Sequence, residues 1–116
     1  MLRPFVPAKD YDESRRFYEA LGFTANSVDS KITVMSNGRD SFLLQNFYVK
    51  ELAENLMLQL SCADVEAWWT EHDPESLAER LGTRPPLPPT RQPWGMVVGF
   101  LHDPSGVLWH VTGLAP

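Results

Sequence analysis

The sequence contains a single cysteine, Cys62, so no internal disulfide can form. A chain of 116 residues that is 43% hydrophobic can bury a core without one. We therefore expect one domain that covers residues 1–116. Because the neighbours of Cys62 are apolar, its thiol is predicted to be buried and unreactive.

Long apolar runs and clusters of basic residues are also missing. No segment approaches the roughly 20 apolar residues of a membrane helix, and residues 1–5 carry no signal-peptide pattern. The net charge is −5, and the ten Lys and Arg are scattered along the chain. We therefore expect a cytoplasmic protein that binds neither membrane nor nucleic acid. An acidic chain suits a cationic small molecule, although charge alone is weak evidence.

The first half of the chain has the pattern of a strand, a helix and three further strands. Residues 3–8 are predicted to form a strand at a sheet edge or beside a break, because they include two prolines. Asp10 or Asp12 can cap a helix that ends near Gly22. Three strands are then predicted at 24–30, 32–36 and 41–48, with Asn37-Gly38 favouring a hairpin between the last two.

The second half repeats this order. A strand at 56–62 precedes a helix capped by Asp64, which Pro74 interrupts, and a further helical segment ends at Gly82. The proline-rich residues 83–90 are predicted to be an extended connector. Two strands follow at 96–102 and 107–113, joined by a turn at Asp103-Pro104-Ser105-Gly106.

This internal repeat predicts an α+β fold built from two βαβββ modules, at about 1–49 and 56–116. Each half has an Asp-capped helix, which ends at Leu21-Gly22 in one half and at Leu81-Gly82 in the other. We expect the two modules to form one domain.

Two stretches resemble signatures of the vicinal-oxygen-chelate superfamily of glyoxalases, bleomycin-resistance proteins and dioxygenases. Residues 10–18 followed by Leu21-Gly22-Phe23 resemble its first helix, and Trp94-Gly95 with residues 103–110 resemble its last strand pair. The resemblance implies that the mixed sheets of the two modules curl to form a U-shaped cleft. In enzyme members that cleft holds a divalent metal through one ligand from each of four strands.

The positions that the resemblance assigns to metal ligands are largely unsuited to ligation. They hold Arg3, Met57, either Leu44 or Gln45, and His110. Arginine cannot ligate a metal, and a thioether is a poor ligand for a hard cation. We therefore predict no metal, no cofactor and no catalytic residues, because the lyase and dioxygenase chemistries of the family need that Lewis acid.

The missing ligands, the length and the aromatic content resemble the metal-free bleomycin-resistance branch, whose members bind a drug between two subunits. The resemblance implies a homodimer that sequesters a small aromatic or antibiotic-like molecule. Strand alternation from the ligand positions then selects the residues that could line the site. The predicted ligand-binding residues are Phe5, Gln45, Phe47, Met57, Gln59, Trp94, Met96 and His110.

Several alternatives stay open at this point. On the strand at 41–48 the inward set is either Gln45 and Phe47 or Phe42, Leu44 and Asn46. Met57 and Phe47 could instead be core side chains, while Trp109 points opposite to His110 and is expected to pack under a helix. The chain could also be a metal-dependent glyoxalase or dioxygenase-type enzyme with a degenerate ligand set, or a structural dimer without a ligand.

Overall fold

Two four-stranded sheets and four helices make up the computed structural model, which describes residues 1–114. The first module contains β1 (Phe5–Pro7), α1 (Tyr11–Ala20), β2 (Thr24–Ser27), β3 (Ile32–Ser36) and β4 (Ser41–Gln45). A short helix, α2 (Lys50–Ala53), leads to the second module of β5 (Met57–Ser61), α3 (Val65–His72), α4 (Pro74–Leu81), β6 (Leu87–Arg91), β7 (Met96–His102) and β8 (Leu108–Leu114). The last two residues of the predicted domain lie outside the described residues.

The two sheets have the same topology, with strand orders β1-β4-β3-β2 and β5-β8-β7-β6. In each, the first strand pairs parallel with the last, and the other pairs are antiparallel. This repetition confirms the predicted α+β fold of two βαβββ modules. None of the four helices within residues 1–114 has both the length and the apolar character needed to cross a membrane.

Equivalent aspartates begin the first helix of each module. The Oδ1 atom of Asp10 accepts a hydrogen bond from the Glu13 amide at 3.1 Å, and Oδ1 of Asp64 accepts one from the Ala67 amide at 3.0 Å. Asp10, rather than Asp12, is therefore the cap of α1. The predicted break at Pro74 also occurs, because Asp73 takes a left-handed conformation (φ 47°) that ends α3 and begins α4.

The prediction that residues 83–90 are only a connector was wrong, because Leu87–Arg91 forms β6 at the sheet edge. Its ladder with β7 shifts register between Leu87 and Thr90, where Pro88 and Pro89 have no amide hydrogen to donate. An edge position tolerates such prolines because one side of the strand needs no partner.

Three predicted strands are shorter than the apolar patterns indicated. β1 covers only Phe5–Pro7 of the predicted 3–8, β4 ends at Gln45, and β2 ends at Ser27. The carboxylate of Asp29 accepts hydrogen bonds from the Lys31 and Ile32 amides, which closes a turn that includes Ser30. Local side-chain bonding of this kind competes with strand pairing.

The modules pack together through aromatic side chains on their helix-covered sheet faces. Tyr18 of α1 lies in tilted or edge contact with Phe42 and Trp109, whose ring centroids are 4.8 and 5.5 Å away. The Tyr18 hydroxyl donates to Oδ2 of Asp103 at 2.5 Å and accepts from Nε1 of Trp109 at 2.9 Å. These two buried hydrogen bonds cross the module boundary, which helps to fix the orientation of the two modules.

Candidate functional site

Each sheet has one face packed against helices and one face without a helix, which we call the open face. Along β4, Phe42 and Leu44 are buried while Ser41, Leu43 and Gln45 are partly exposed. Along β8, Trp109 and Val111 are buried while Leu108 and His110 are partly exposed. Because side chains alternate along a strand, the ladder registers extend both open faces across all their strands.

The open face of module 1 carries Phe5 and Gln45 from the predicted set. Phe5 is 51% exposed on the edge strand β1, and Gln45 is partly exposed at the end of β4. Leu44 is fully buried on the covered face, so the alternative register for this strand does not apply. Phe47, also 51% exposed, lies just beyond β4 and lines an open cavity of about 550 Å³ with Gln45 and Ile32.

The open face of module 2 carries Met57, Gln59, Met96 and His110. The β5, β8 and β7 registers place Gln59, His110 and Phe100 in one row across the sheet. The His110 and Phe100 rings meet edge to face at 4.8 Å, and Nε2 of His110 is buried without a hydrogen-bond partner in the described chain. Because a buried polar atom without a hydrogen bond is unfavourable, a ligand that forms a hydrogen bond with this nitrogen would be stabilised.

On the open face of module 2, the side chains next to this row are buried, and those at the edge of the sheet are exposed. Val98 and Thr112 are buried beside the row, whereas Met57 at the edge is 63% exposed. Met57 is therefore not the core side chain that one sequence alternative allowed. Trp94, 67% exposed, sits in the turn that leads into Met96.

The eight predicted residues are not gathered into one pocket within a single chain. The covered faces of the sheets meet at Phe42 and Trp109, whose ring centroids are 5.5 Å apart. Gln45 and Phe47 line the cavity of about 550 Å³ in module 1, and none of the five predicted residues of module 2 lines it.

The family's metal does not fit the residues at its ligand positions. Arg3 donates from Nε to Oγ of Ser41 at 2.9 Å, and Met57 offers only a thioether. That leaves Gln45 and His110, which belong to different open faces. Within residues 1–114, no three His, Cys, Asp or Glu side chains are placed to hold one metal ion.

A second cavity, of about 600 Å³, lies at the module junction. Its wall includes Lys9, Glu13, Arg84, His102 and Asp103. Burial raises the pKa of Asp103 to about 6, against the opposing effect of hydrogen bonds from Tyr18 and from the Val107, Ser105 and Gly106 amides. Partial burial and the nearby Arg84 guanidinium lower the pKa of His102.

The sequence pattern indicated no role for the side chain of Asp103 in stabilising the turn that it begins. It identified residues 103–106 only as a turn, although Asp103 also anchors the turn through the Ser105 and Val107 amides at 2.8 and 2.9 Å. Cys62 is only half-buried and its Sγ lies 3.5 Å from the Thr112 carbonyl oxygen, so the predicted full burial was wrong. Burial is the main effect that raises the pKa of its thiol.

The fold and the repeated modules define a class of α+β proteins with two βαβββ units, and comparison with known proteins identifies the family. The model of the Glyoxalase/Bleomycin resistance protein/Dioxygenase superfamily matches residues 2–111. The chain therefore belongs to this superfamily. No curated protein sequence matches it.

Three solved structures illustrate how widely the fold is shared. A bleomycin-binding protein complexed with bleomycin has 21% identity and a TM-score of 0.78, covering 99% of this chain and 98% of that one. TnmS3, an antibiotic-binding protein from Streptomyces sp. CB03234, has 22% identity and a TM-score of 0.74, covering 99% and 96%. A lactoylglutathione lyase from Agrobacterium tumefaciens has 18% identity and a TM-score of 0.68, covering 97% and 92%. At these identities the likeness establishes the fold alone.

Proposed function

We propose that this chain is a metal-free binding protein of the bleomycin-resistance type, which sequesters an aromatic or antibiotic-like small molecule in a cleft completed by a second copy. The observation that carries the proposal is the pair of apolar open faces, with large side chains exposed on each. Phe5, Met57 and Trp94 are 51%, 63% and 67% exposed. Large apolar side chains exposed on sheet faces that no helix covers favour an interaction site.

The separation of the predicted residues supports a second copy as the other wall of the cleft. Gln45 and Phe47 line one cavity, and none of the five predicted residues of module 2 lines it. Two copies related by a twofold axis can bring the module 1 face of each opposite the module 2 face of its partner. Such a dimer would contain two equivalent clefts, each built from Phe5, Gln45 and Phe47 of one copy and the remaining five residues of the other.

The chemistry of these residues suits a flat heteroaromatic ligand. Trp94, Phe47 and Phe5 offer large apolar surfaces, and the thioethers of Met57 and Met96 adapt to irregular shapes. The amides of Gln45 and Gln59 and the unpartnered Nε2 of His110 supply a few polar groups among them. Small-molecule sites have this composition of a mostly apolar wall with a few convergent polar groups.

Similarity to bleomycin-binding and antibiotic-binding structures over nearly the whole chain agrees with this proposal. The enzymatic alternative requires a metal, and two of the four ligand positions hold Arg3 and Met57. Metal analysis of the purified protein separates the two. Stoichiometric divalent metal that a chelator removes would overturn the metal-free proposal.

Isothermal titration calorimetry with bleomycin and with planar aromatic compounds such as acridine tests sequestration directly. At least one compound class should bind with a Kd below about 1 mM, which corresponds to roughly −4 kcal/mol. The Trp94→Ala and Gln59→Ala variants should weaken that binding. The matched control is Leu52→Ala, which truncates a 46% exposed apolar side chain on α2 and should leave affinity unchanged.

Light scattering over a range of concentrations tests the second copy. We expect a mass near twice the 13.2 kDa of one chain. A protein that stays monomeric and still binds the ligand would contradict the shared cleft while leaving sequestration intact.

A further inference from the structure

The cavity of about 600 Å³ at the module junction is lined by none of the eight residues predicted to bind the aromatic ligand. Its wall instead carries exposed or partly exposed charged side chains of both signs, namely Lys9, Glu13, Glu54 and Arg84. None of these four forms an ion pair within residues 1–114. A wall with uncompensated charges of both signs favours a ligand whose own charges complement them.

The two cations of this wall are held by neutral partners. Nζ of Lys9 lies over the ring of Tyr48, 5.6 Å from its centroid. Nη1 of Arg84 lies 3.4 Å from Nε2 of His102. Partial burial and the Arg84 charge lower the pKa of His102, so its imidazole is neutral at pH 7 and can accept this hydrogen bond. Because neither partner is an anion, both cations keep their capacity to bind one.

The module 2 wall also has a hydroxyl group without a partner. Oγ1 of Thr83, next to Arg84 in the chain, is buried and makes no hydrogen bond within residues 1–114. It can donate to a ligand oxygen. Asp103 lines the same wall, but it is 3% exposed and its carboxylate already accepts three hydrogen bonds inside the protein. Arg84 and Thr83 therefore make this end of the cavity suitable for a carboxylate.

The opposite wall, from module 1 and the linker, supplies the two carboxylates. Glu13 lies in the first turn of α1, and Glu54 follows α2. Glu54 lies against the turn between β7 and β8, since its Cγ would be 3.3 Å from a Cβ added to Gly106. Together with Lys9, these residues give the wall an excess of one negative charge. The accessible charge thus changes sign across the cavity.

We propose that this cavity binds a zwitterionic small molecule, with an ammonium group at one end and a carboxylate at the other. The carboxylate pairs with Arg84 and Thr83. The ammonium group pairs with Glu13 and Glu54. An anion without the ammonium group meets the two glutamates uncompensated, and a cation without the carboxylate meets Lys9 and Arg84. This inference does not depend on the proposed function, because the two sites share no residue.

Three compounds that share one alkyl chain test the preference. At neutral pH, 6-aminohexanoate is a zwitterion, hexanoate is an anion and hexylamine is a cation. An NMR titration that follows the backbone amides of the protein measures both affinity and location. The Kd of 6-aminohexanoate should be at least about tenfold lower than that of either other compound. The amides of Thr83, Arg84 and Gly106 should shift, while those of Gln59 and His110 should not.

Two variants test the two ends of the cavity. Arg84→Gln should raise the Kd of 6-aminohexanoate by about tenfold without weakening the binding of hexylamine. Glu54→Gln should raise the same Kd without weakening the binding of hexanoate. Arg80→Gln and Glu51→Gln are the matched controls, because they remove the same charges from exposed positions that do not line the cavity. All four side chains are exposed, and the amide spectrum of each variant verifies that it folds.

Several outcomes would overturn the inference. One is that hexanoate or hexylamine binds as tightly as 6-aminohexanoate, since a single charge would then suffice. Others are equal effects of Arg84→Gln and Arg80→Gln, or the absence of shifts at the amides that line the cavity. None of these results bears on sequestration of an aromatic ligand, which calorimetry with bleomycin and acridine tests separately.

Discussion

The covered and open faces of the same sheets differ in how completely their side chains are satisfied. On the covered side, Tyr18, Asp103 and Trp109 form a buried hydrogen-bonded trio among packed rings. On the open side, His110 has a buried nitrogen without a partner and Met57 is 63% exposed. Trp109 and His110 are adjacent in β8, yet their side chains lie on opposite faces of the sheet. The difference indicates that the covered faces stabilise the fold, and it is one basis for the proposal that the open faces bind a ligand.

The largest expected difference between the covered and open faces is in stability, and a pair of substitutions at Trp109 and His110 tests it. Trp109→Ala removes a buried indole that is 6% exposed and leaves Tyr18 without one donor, so it should lower the free energy of unfolding by about 3–5 kcal/mol. His110→Ala should lower it by less than about 1 kcal/mol. Urea denaturation of the two variants measures both effects. Equal losses would show that the open face is also part of the structural core.

The pH dependence of stability probes the buried carboxyl between the modules. Burial raises the pKa of Asp103 from 3.8 to about 6 in the folded protein. The folded state therefore binds the proton more tightly than the unfolded state between these two values. The contribution of Asp103 is most favourable below about pH 4, and by linkage the free energy of unfolding falls by about 3 kcal/mol as the pH rises to about 6.

Thermal and urea denaturation across this pH range, compared with Asp103→Asn, measures that contribution. The variant should have a flatter profile, because its side chain does not titrate. An identical profile in both proteins would assign the pH dependence to other groups.

Close packing on the covered face of module 2 predicts a smaller effect. A Cβ at Gly99 would lie 2.3 Å from Cζ3 of Trp69, so Gly99→Ala must displace that indole. The expected loss is about 1–3 kcal/mol of unfolding free energy, typical of overpacking. Tryptophan fluorescence should change together with the denaturation midpoint, and a variant as stable as the parent would show that Trp69 can move freely.

The smallest effect on stability is expected on the open face. Met57→Glu should change the free energy of unfolding of the monomer by less than about 0.5 kcal/mol, because its side chain is largely exposed. It should nevertheless shift the mass measured by light scattering toward the monomer, because it places a charge in the proposed dimer cleft. If Met57→Glu is less stable but still has the mass of a dimer, the open face contributes to the structural core rather than to the dimer cleft.

Much of the fold could be predicted from local chemistry. Asp10 and Asp64 cap their helices, Pro74 interrupts the second one, and the turn at 103–106 joins β7 to β8. Each of these signals acts within a few residues, where sequence patterns are informative. β6 escaped prediction because Pro88 and Pro89 argue against a strand, and only its place at the sheet edge makes them tolerable.

The set of candidate site residues stays a prediction, and their arrangement in space could not be derived from the sequence. Alternation correctly separated Trp109 from His110, yet it left two registers for the strand that ends at Gln45. The burial of Leu44 under α1 decided between them. That choice depends on which face a helix covers, and no short-range pattern encodes it.

By itself, the sequence determined two Asp-capped βαβββ modules without a disulfide, because caps, turns and strand alternation act between near neighbours. The resemblance to the family also implied that Arg3 and Met57 occupy positions where its enzymes place metal ligands, and this stays a prediction. Only the tertiary structure decided which sheet faces the helices cover and that Tyr18, Asp103 and Trp109 meet between the modules. Those properties depend on contacts between residues far apart in the chain, such as the packing of Phe42 against Trp109.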